Sequence, residues 1–327
     1  MPVNEELALA LWYVAPRKAE LREERLSAPE TGEVRVRALW GAISRGTEAL
    51  VFNGSVPMTE FDRMRSPNMA GRFPFPVKYG YATVGQVEDG PARHVGHTIF
   101  ALHPHQHRFN IPESAIVTLP EAVPPRRAVL AANMETALNA VWDSAAGPAD
   151  RIAIVGAGAV GALVAFLCSR LVGVEATLVD INKRCAELAQ KLGVRFATPD
   201  TAKDDCDVVI HASGSEAGLR TALSLAGDEA IVLELSWYGD TPVTIPLGGA
   251  FHSRRLRLIS SQVGRIAVSH RSRWTHSRRL AAAIGLLTDP CLDALLAPEV
   301  EFCDLPRRLP DILDAKNGVV CQLISYP

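Results

Sequence analysis

The chain has 327 residues, 48% hydrophobic and 21% charged, which is enough for two ordinary domains with a sizeable core. Its formal net charge of −2 argues against a nucleic acid or an anionic membrane held by bulk charge. No apolar run reaches membrane-span length, MPVNEELALA lacks the basic region of a signal peptide, and the six cysteines form no C-x-x-C. A reduced, cytoplasmic protein is therefore expected.

Residues 1–124 read as a β-rich first domain. Stretches 8–13 and 33–40 look like strands, the second with clear period-two alternation, and 79–87 and 97–102 return to that pattern. Between 52 and 76 lies a long irregular stretch with exposed-looking Phe61, Met64, Met69, Phe73 and Phe75. Such loops are functional or pack over a barrel end, and these apolar residues favour a bulky substrate. His103, His105 and His107, with His94 and His97 nearby, resemble a metal cluster. Pro104 disfavours a regular strand and no cysteine or carboxylate lies close, so the segment reads as a surface loop with a hydrogen-bonding histidine or two.

Residues 125–266 read as a dinucleotide-binding domain. A helical pattern at 126–143 leads to the β-branched run Ile152-Ala153-Ile154-Val155, the pattern of a strand buried on both faces. Next comes Gly156-Ala157-Gly158-Ala159-Val160-Gly161, then an apolar helix, then a second strand ending on Asp180. Gly156 permits the tight turn, Gly158 lets a pyrophosphate approach the backbone, and Gly161 lets the helix sit close to the sheet. Ala159 and Val160 open the helix, whose N–H groups face the phosphates. Asp180 stands 19 residues past Gly161, where a carboxylate accepts from both ribose hydroxyls and opposes a 2′-phosphate. The cofactor is read as NAD(H). Helices at 183–192 and 216–225 alternate with strands at 207–210 and 230–235, and the pattern ends near Ser260. The class is α/β, with a doubly wound parallel Rossmann sheet beside the β-rich domain. Residues 267–327, with a helix in 271–287 and a final strand at 319–324, read as the return to the first domain.

This arrangement resembles the medium-chain dehydrogenase/reductase superfamily, whose first domain is GroES-like and catalytic. The stretches that carry the likeness are Ala42-Ile43-Ser44-Arg45-Gly46-Thr47-Glu48 and Gly80-Tyr81-Ala82-Thr83-Val84-Gly85-Gln86-Val87. Matched to the zinc enzymes of that family, Arg45 replaces a ligand cysteine, Tyr81 a ligand histidine, and Ala82 its neighbouring glutamate. A guanidinium cannot ligate a metal, and a phenol is a poor zinc ligand. Only Glu135, in Asn133-Met134-Glu135-Thr136-Ala137, resembles the acid of the sorbitol-dehydrogenase-like branch. The four-cysteine lobe of a structural zinc is missing. The S-x-G-T-E pattern is most similar to a zinc-less branch that includes the bacteriochlorophyllide hydroxyethyl dehydrogenase.

The resemblance implies a zinc-independent, NAD-dependent oxidoreductase with no metal site. It would transfer hydride to or from a bulky hydroxyl/carbonyl or activated double bond. Thr47 resembles the relay hydroxyl next to the substrate oxygen, and Leu50 stands where the relay histidine should follow. Tyr81 would donate a hydrogen bond or proton, with Arg45 stabilising charge or lowering the Tyr81 pKa. Arg45 paired with Glu48 or Glu135 would equally read as an ion pair filling a vacated metal site. Ser213, Ser236 and Trp237 would line the cofactor cleft, and Tyr238 would pack. A homodimer is expected, through the β-branched edge Val243-Thr244-Ile245. The alternative is a degenerate dinucleotide-binding protein without catalysis.

Overall fold

The computed structural model describes residues 6–327. The chain divides into two compact units, Met1–Ala132 with Leu296–Pro327, and Asn133–Leu295. Among the described residues no helix is long and apolar enough to cross a membrane.

The first unit holds two sheets. In the smaller, Glu6–Ala15 pairs antiparallel with Lys18–Leu26 on one side and with Val77–Lys78 on the other. Glu6–Ala15 buries Ala8, Ala10, Leu11 and Tyr13, whereas the Lys18–Leu26 strand is rich in charge and has no fully buried residue. The larger sheet is built on Glu33–Ile43, which pairs with Thr83–Asp89, Arg108–Pro112 and the returning Cys321–Ser325. Its alternating pattern sends Val34 and Val36 inward to meet Val87, Ile99, Phe109 and Ile111. Each such side chain contributes about 1.5–3 kcal/mol by leaving water.

The irregular stretch at 52–76 differs from its expected exposure. Met69 and Phe73 are buried, and Phe61 lies against Phe73, which in turn meets Tyr79. Phe61, Met64 and Phe75 stay partly exposed.

The second unit carries six parallel strands: β1 (Arg151–Val155), β2 (Glu175–Val179), β3 (Arg195–Ala197), β4 (Cys206–His211), β5 (Ala226–Glu234) and β6 (Arg257–Ser260). Their spatial order is 3-2-1-4-5-6. The chain runs outward from β1 in one direction and from β4 in the other, so a crevice opens at the carboxyl ends of these two strands. The segment Val243-Thr244-Ile245 is not the edge strand. It lies in coil, with Val243 and Ile245 packed against the sheet's core, and the edge is β6.

The return to the first unit comes at Leu296, not at 267. Helix His276–Gly285 stays with the second unit because its one buried cation, Arg279, is held there. Arg279 Nε donates to Glu135 Oε1 at 3.0 Å and Nη1 to Asn139 Oδ1 at 2.5 Å, while Leu280, Ala283 and Ile284 are buried beside it. The basic run 271–279 hides this inward face in the sequence.

Candidate functional site

In the first unit, Glu33–Ile43 ends at Ser44 and the chain turns into helix Arg45–Asn53, which Gly54 closes in the left-handed conformation. The first turn carries Thr47 on a partly exposed face and Glu48 inward. Tyr81, partly exposed, hydrogen-bonds through its hydroxyl to the side chains of Ser44 and Thr47. Burial, then the Glu48 charge, push that hydroxyl well above the usual phenol range, and those two hydrogen bonds only partly offset the shift. Tyr81 therefore stays a neutral donor, the opposite of the lowering expected from Arg45.

Arg45 takes no part in this cluster. Its Nη1 donates to the Ala315 carbonyl at 3.2 Å. Neither expected partner is paired with it. Glu48 accepts from Tyr13 Oη at 2.9 Å, from His105 Nε2 at 2.9 Å and from the Ser44 N–H at 3.2 Å. Glu135 belongs to the second unit and pairs with Arg279; burial raises its carboxyl, the Arg279 charge only partly offsetting that.

The histidine segment is likewise not a surface loop. His103 and His105 are buried and His107 is partly so. His103 stacks on Phe109 and burial pushes its pKa down to about 3, so it stays neutral. His105 is sealed with Glu48, and its Nδ1 has no hydrogen-bond partner. The sequence could not pair residues 48 and 105, because a helix turn and a distant loop meet only through the sheet between them.

A catalytic zinc does not fit these residues. Among the described residues no three His, Cys, Asp or Glu side chains are grouped to hold a metal ion. The groups at Ser44, Arg45 and Tyr81 are a hydroxyl, an outward guanidinium and a phenol, and zinc asks for thiolate, imidazole or carboxylate.

In the second unit the glycine turn has the geometry that a dinucleotide needs. Gly156 has φ +110°, and a Cβ there would meet the Ser213 backbone at 2.7 Å. At Gly161 a Cβ would fall 1.9 Å from the Gly156 carbonyl, so helix Ala159–Cys168 is seated hard against the turn. A Cβ at Gly158 meets nothing within 4 Å; it would project into the open crevice. Gly158 caps the helix with no side chain, leaving the turn of Ala159 and Val160 open to a ligand. Asp180 is fixed at the mouth: Oδ2 accepts from the Ala157 N–H at 2.7 Å and Oδ1 from the Asn182 N–H at 2.8 Å. These residues fit a dinucleotide.

On the other side of the crevice stand Ser213, Ser236 and Trp237. The Ala212 N–H donates to the Val155 carbonyl, which brings Ser213 against the glycine turn. Ser236 Oγ accepts from the Gly214 N–H at 3.0 Å, and Trp237 follows it in coil, partly exposed. Between them lies a group the sequence reading missed. His211, fully buried at the end of β4, faces Glu234 at the end of β5, with Nδ1 2.9 and 2.8 Å from the two carboxylate oxygens. Tyr238 Oη donates to Glu234 at 3.0 Å and the Ser236 N–H at 2.7 Å. Tyr238 is thus tied to this pair and is not simple packing. The available signal was two polar residues closing neighbouring apolar strands.

No protein-family model matches the chain. A D-guloside 3-dehydrogenase of Escherichia coli K12 is 23% identical over 332 residues, covering 92% of this chain and 94% of the relative. Among solved structures, an L-idonate 5-dehydrogenase of E. coli superposes at TM-score 0.80 with 14% identity, covering 98% of this chain and 99% of that one. The chain has the alcohol-dehydrogenase-like medium-chain fold. A short chain alcohol dehydrogenase of E. coli CFT073, complexed with NADH, shares this fold at TM-score 0.76 and 15% identity, covering 98% and 99%. A zinc-binding dehydrogenase of Sinorhizobium meliloti bound to NADP shares it at 0.77 and 16%, with the same coverage. In the medium-chain fold the β-rich unit is the GroES-like part and the six-stranded unit the Rossmann part.

Proposed function

We propose that the protein is an NAD(H)-dependent oxidoreductase that interconverts a secondary hydroxyl and a carbonyl on a sugar derivative without a catalytic zinc. The observation that carries this reading is the glycine turn, open at Gly158 and guarded by Asp180. A 2′-phosphate at Asp180 would meet its negative charge, which favours NADH over NADPH. The sugar class is our reading, supported by the name of the 23%-identical D-guloside 3-dehydrogenase. When bound, the dinucleotide accepts or supplies a hydride, so the carbinol C–H bond breaks with its electron pair and the O–H proton is freed.

The protein's own part is to hold the oxygen. Tyr81, kept neutral, donates its hydroxyl proton or hydrogen bond to the substrate oxygen, with Thr47 beside it. Two copies would join through the free edge of β6, giving a homodimer, which sedimentation at micromolar concentration tests. The main test is fluorescence titration with NADH and NADPH, followed by a screen of NAD with glycosides and sugar acids. NADH should bind more tightly, with turnover on at least one sugar and no stoichiometric zinc. Equal or tighter NADPH binding rejects the cofactor assignment. NADH binding with no turnover on any substrate returns the protein to a dinucleotide-binding role without catalysis.

A further inference from the structure

We propose that Ser213, His211 and Glu234 form a proton relay that opens on the dinucleotide crevice and takes up the proton freed when a hydroxyl is oxidised. The inference rests on the proposed function and adds the route of the proton, which the family's relay histidine would have supplied where this chain has Leu50.

The geometry gives the chain of bonds a direction. Both Glu234 oxygens face His211 Nδ1, so Nδ1 carries the hydrogen and Nε2 is the bare nitrogen. Ser213 Oγ lies 2.6 Å from that Nε2 and donates to it. Burial alone would raise the Glu234 carboxyl, yet the His211 and Ser236 hydrogen bonds outweigh it and hold it below the usual range. The far end is open. His211 is fully buried, but Ser213 and Ser215 are exposed, with their hydroxyls 2.9 Å apart. The Ser213 backbone also stands against the glycine turn, so this exposed end of the chain of bonds lies beside the crevice. As Ser213 Oγ takes a proton there, its own passes to Nε2. The resulting imidazolium is balanced by the Glu234 carboxylate, and the proton leaves by the same two serines. Tyr238 also faces this carboxylate, and the charge of Glu216 acts on Tyr238 from the next helix.

A second observation points the same way. Helix Glu216–Leu225 carries Gly218 in its first turn, although glycine weakens a helix by about 0.5–1 kcal/mol relative to alanine. A Cβ at that position would fall 2.0 Å from Ser213 Oγ and 2.7 Å from His211 Nε2. Glycine leaves room for that one hydrogen bond.

The test uses the whole protein. Imidazole nitrogen NMR, with His211 assigned by its loss in His211→Asn, is recorded with and without NADH. The His211 resonances should shift on NADH binding, and in Gly218→Ala they should not respond although NADH still binds. In the oxidation direction Ser213→Ala should lower turnover by about 10²-fold, in the range of a lost proton-transfer group, while Ser213→Thr keeps the hydroxyl and stays within about fivefold of wild type. Turnover is read at saturating NAD in both, so a weaker cofactor contact at Ser213 does not enter the comparison. Unmoved His211 resonances under bound NADH, or Ser213→Thr as impaired as Ser213→Ala, overturn the relay alone. Absence of NADH binding in the wild type overturns the functional reading and the relay with it. Should His211→Asn fail to fold, Glu234→Gln supplies the assignment through the changed Nδ1 signal.

Discussion

Among the described residues each unit holds one fully buried histidine paired with a glutamate, and the two pairs are built for different ends. His105 and Glu48 are sealed, both side chains fully buried, with Tyr13 completing the carboxylate's partners. His211 and Glu234 make a bond of nearly the same length, but Glu234 is partly exposed and His211 accepts a hydrogen bond from an exposed serine. The chemistry of the pair is the same; what differs is whether a proton can reach water. A sealed pair fixes structure, and an open one can exchange a proton.

The largest effect that sharpens this contrast is Tyr81→Phe, which removes the hydroxyl on which the charge of the sealed Glu48 acts. Turnover should fall by ~10²–10⁴-fold with NADH affinity nearly unchanged. Steady-state kinetics with a cofactor titration checks it, and turnover within about threefold of wild type removes Tyr81 from the mechanism. Next is Glu48→Ala. It leaves a fully buried imidazole and phenol without their acceptor and should cost about 3–5 kcal/mol by denaturant unfolding, the range for breaking a buried pair. Glu234→Ala should cost less, about 1–3 kcal/mol, because water can reach part of the space it leaves. If the two costs come out equal, the distinction between sealed and open pairs is wrong.

Gly158→Ala gives a smaller effect of another kind. A Cβ there meets nothing, so stability should stay within about 0.5 kcal/mol, as for a surface change. NADH affinity should still fall by roughly tenfold, about 1.4 kcal/mol, because the methyl occupies the crevice. Unchanged NADH affinity would take the glycine turn out of the binding site. The smallest effect is with acid. The folded Glu234 carboxyl is held below its unfolded value, so its contribution to stability is present above the unfolded value of 4.5 and is lost as pH falls through the lower folded one. Glu234→Gln should flatten that part of the acid unfolding curve, and an unaltered curve would show that the pair does not hold the carboxylate down.

The sequence by itself determined the α/β class, the glycine turn and the place of Asp180, because each rests on neighbours in the chain: strand, turn, helix and strand within thirty residues. The strands at 8–13, 33–40 and 152–155 were legible for the same local reason, since alternation or a continuous apolar run is a property of one segment. The strand Lys18–Leu26 was not, because its charges hide an edge that only pairing reveals. Tertiary structure alone decided where the polar side chains meet. Glu48 met His105 rather than Arg45, and Glu135 met Arg279, 144 positions away. Arg45 turned outward to a carbonyl, and His211 found Glu234 across two neighbouring strands. A buried charge takes whatever partner the packed sheets bring to it, because leaving it unpaired costs more than any local preference, and that choice is made across the fold.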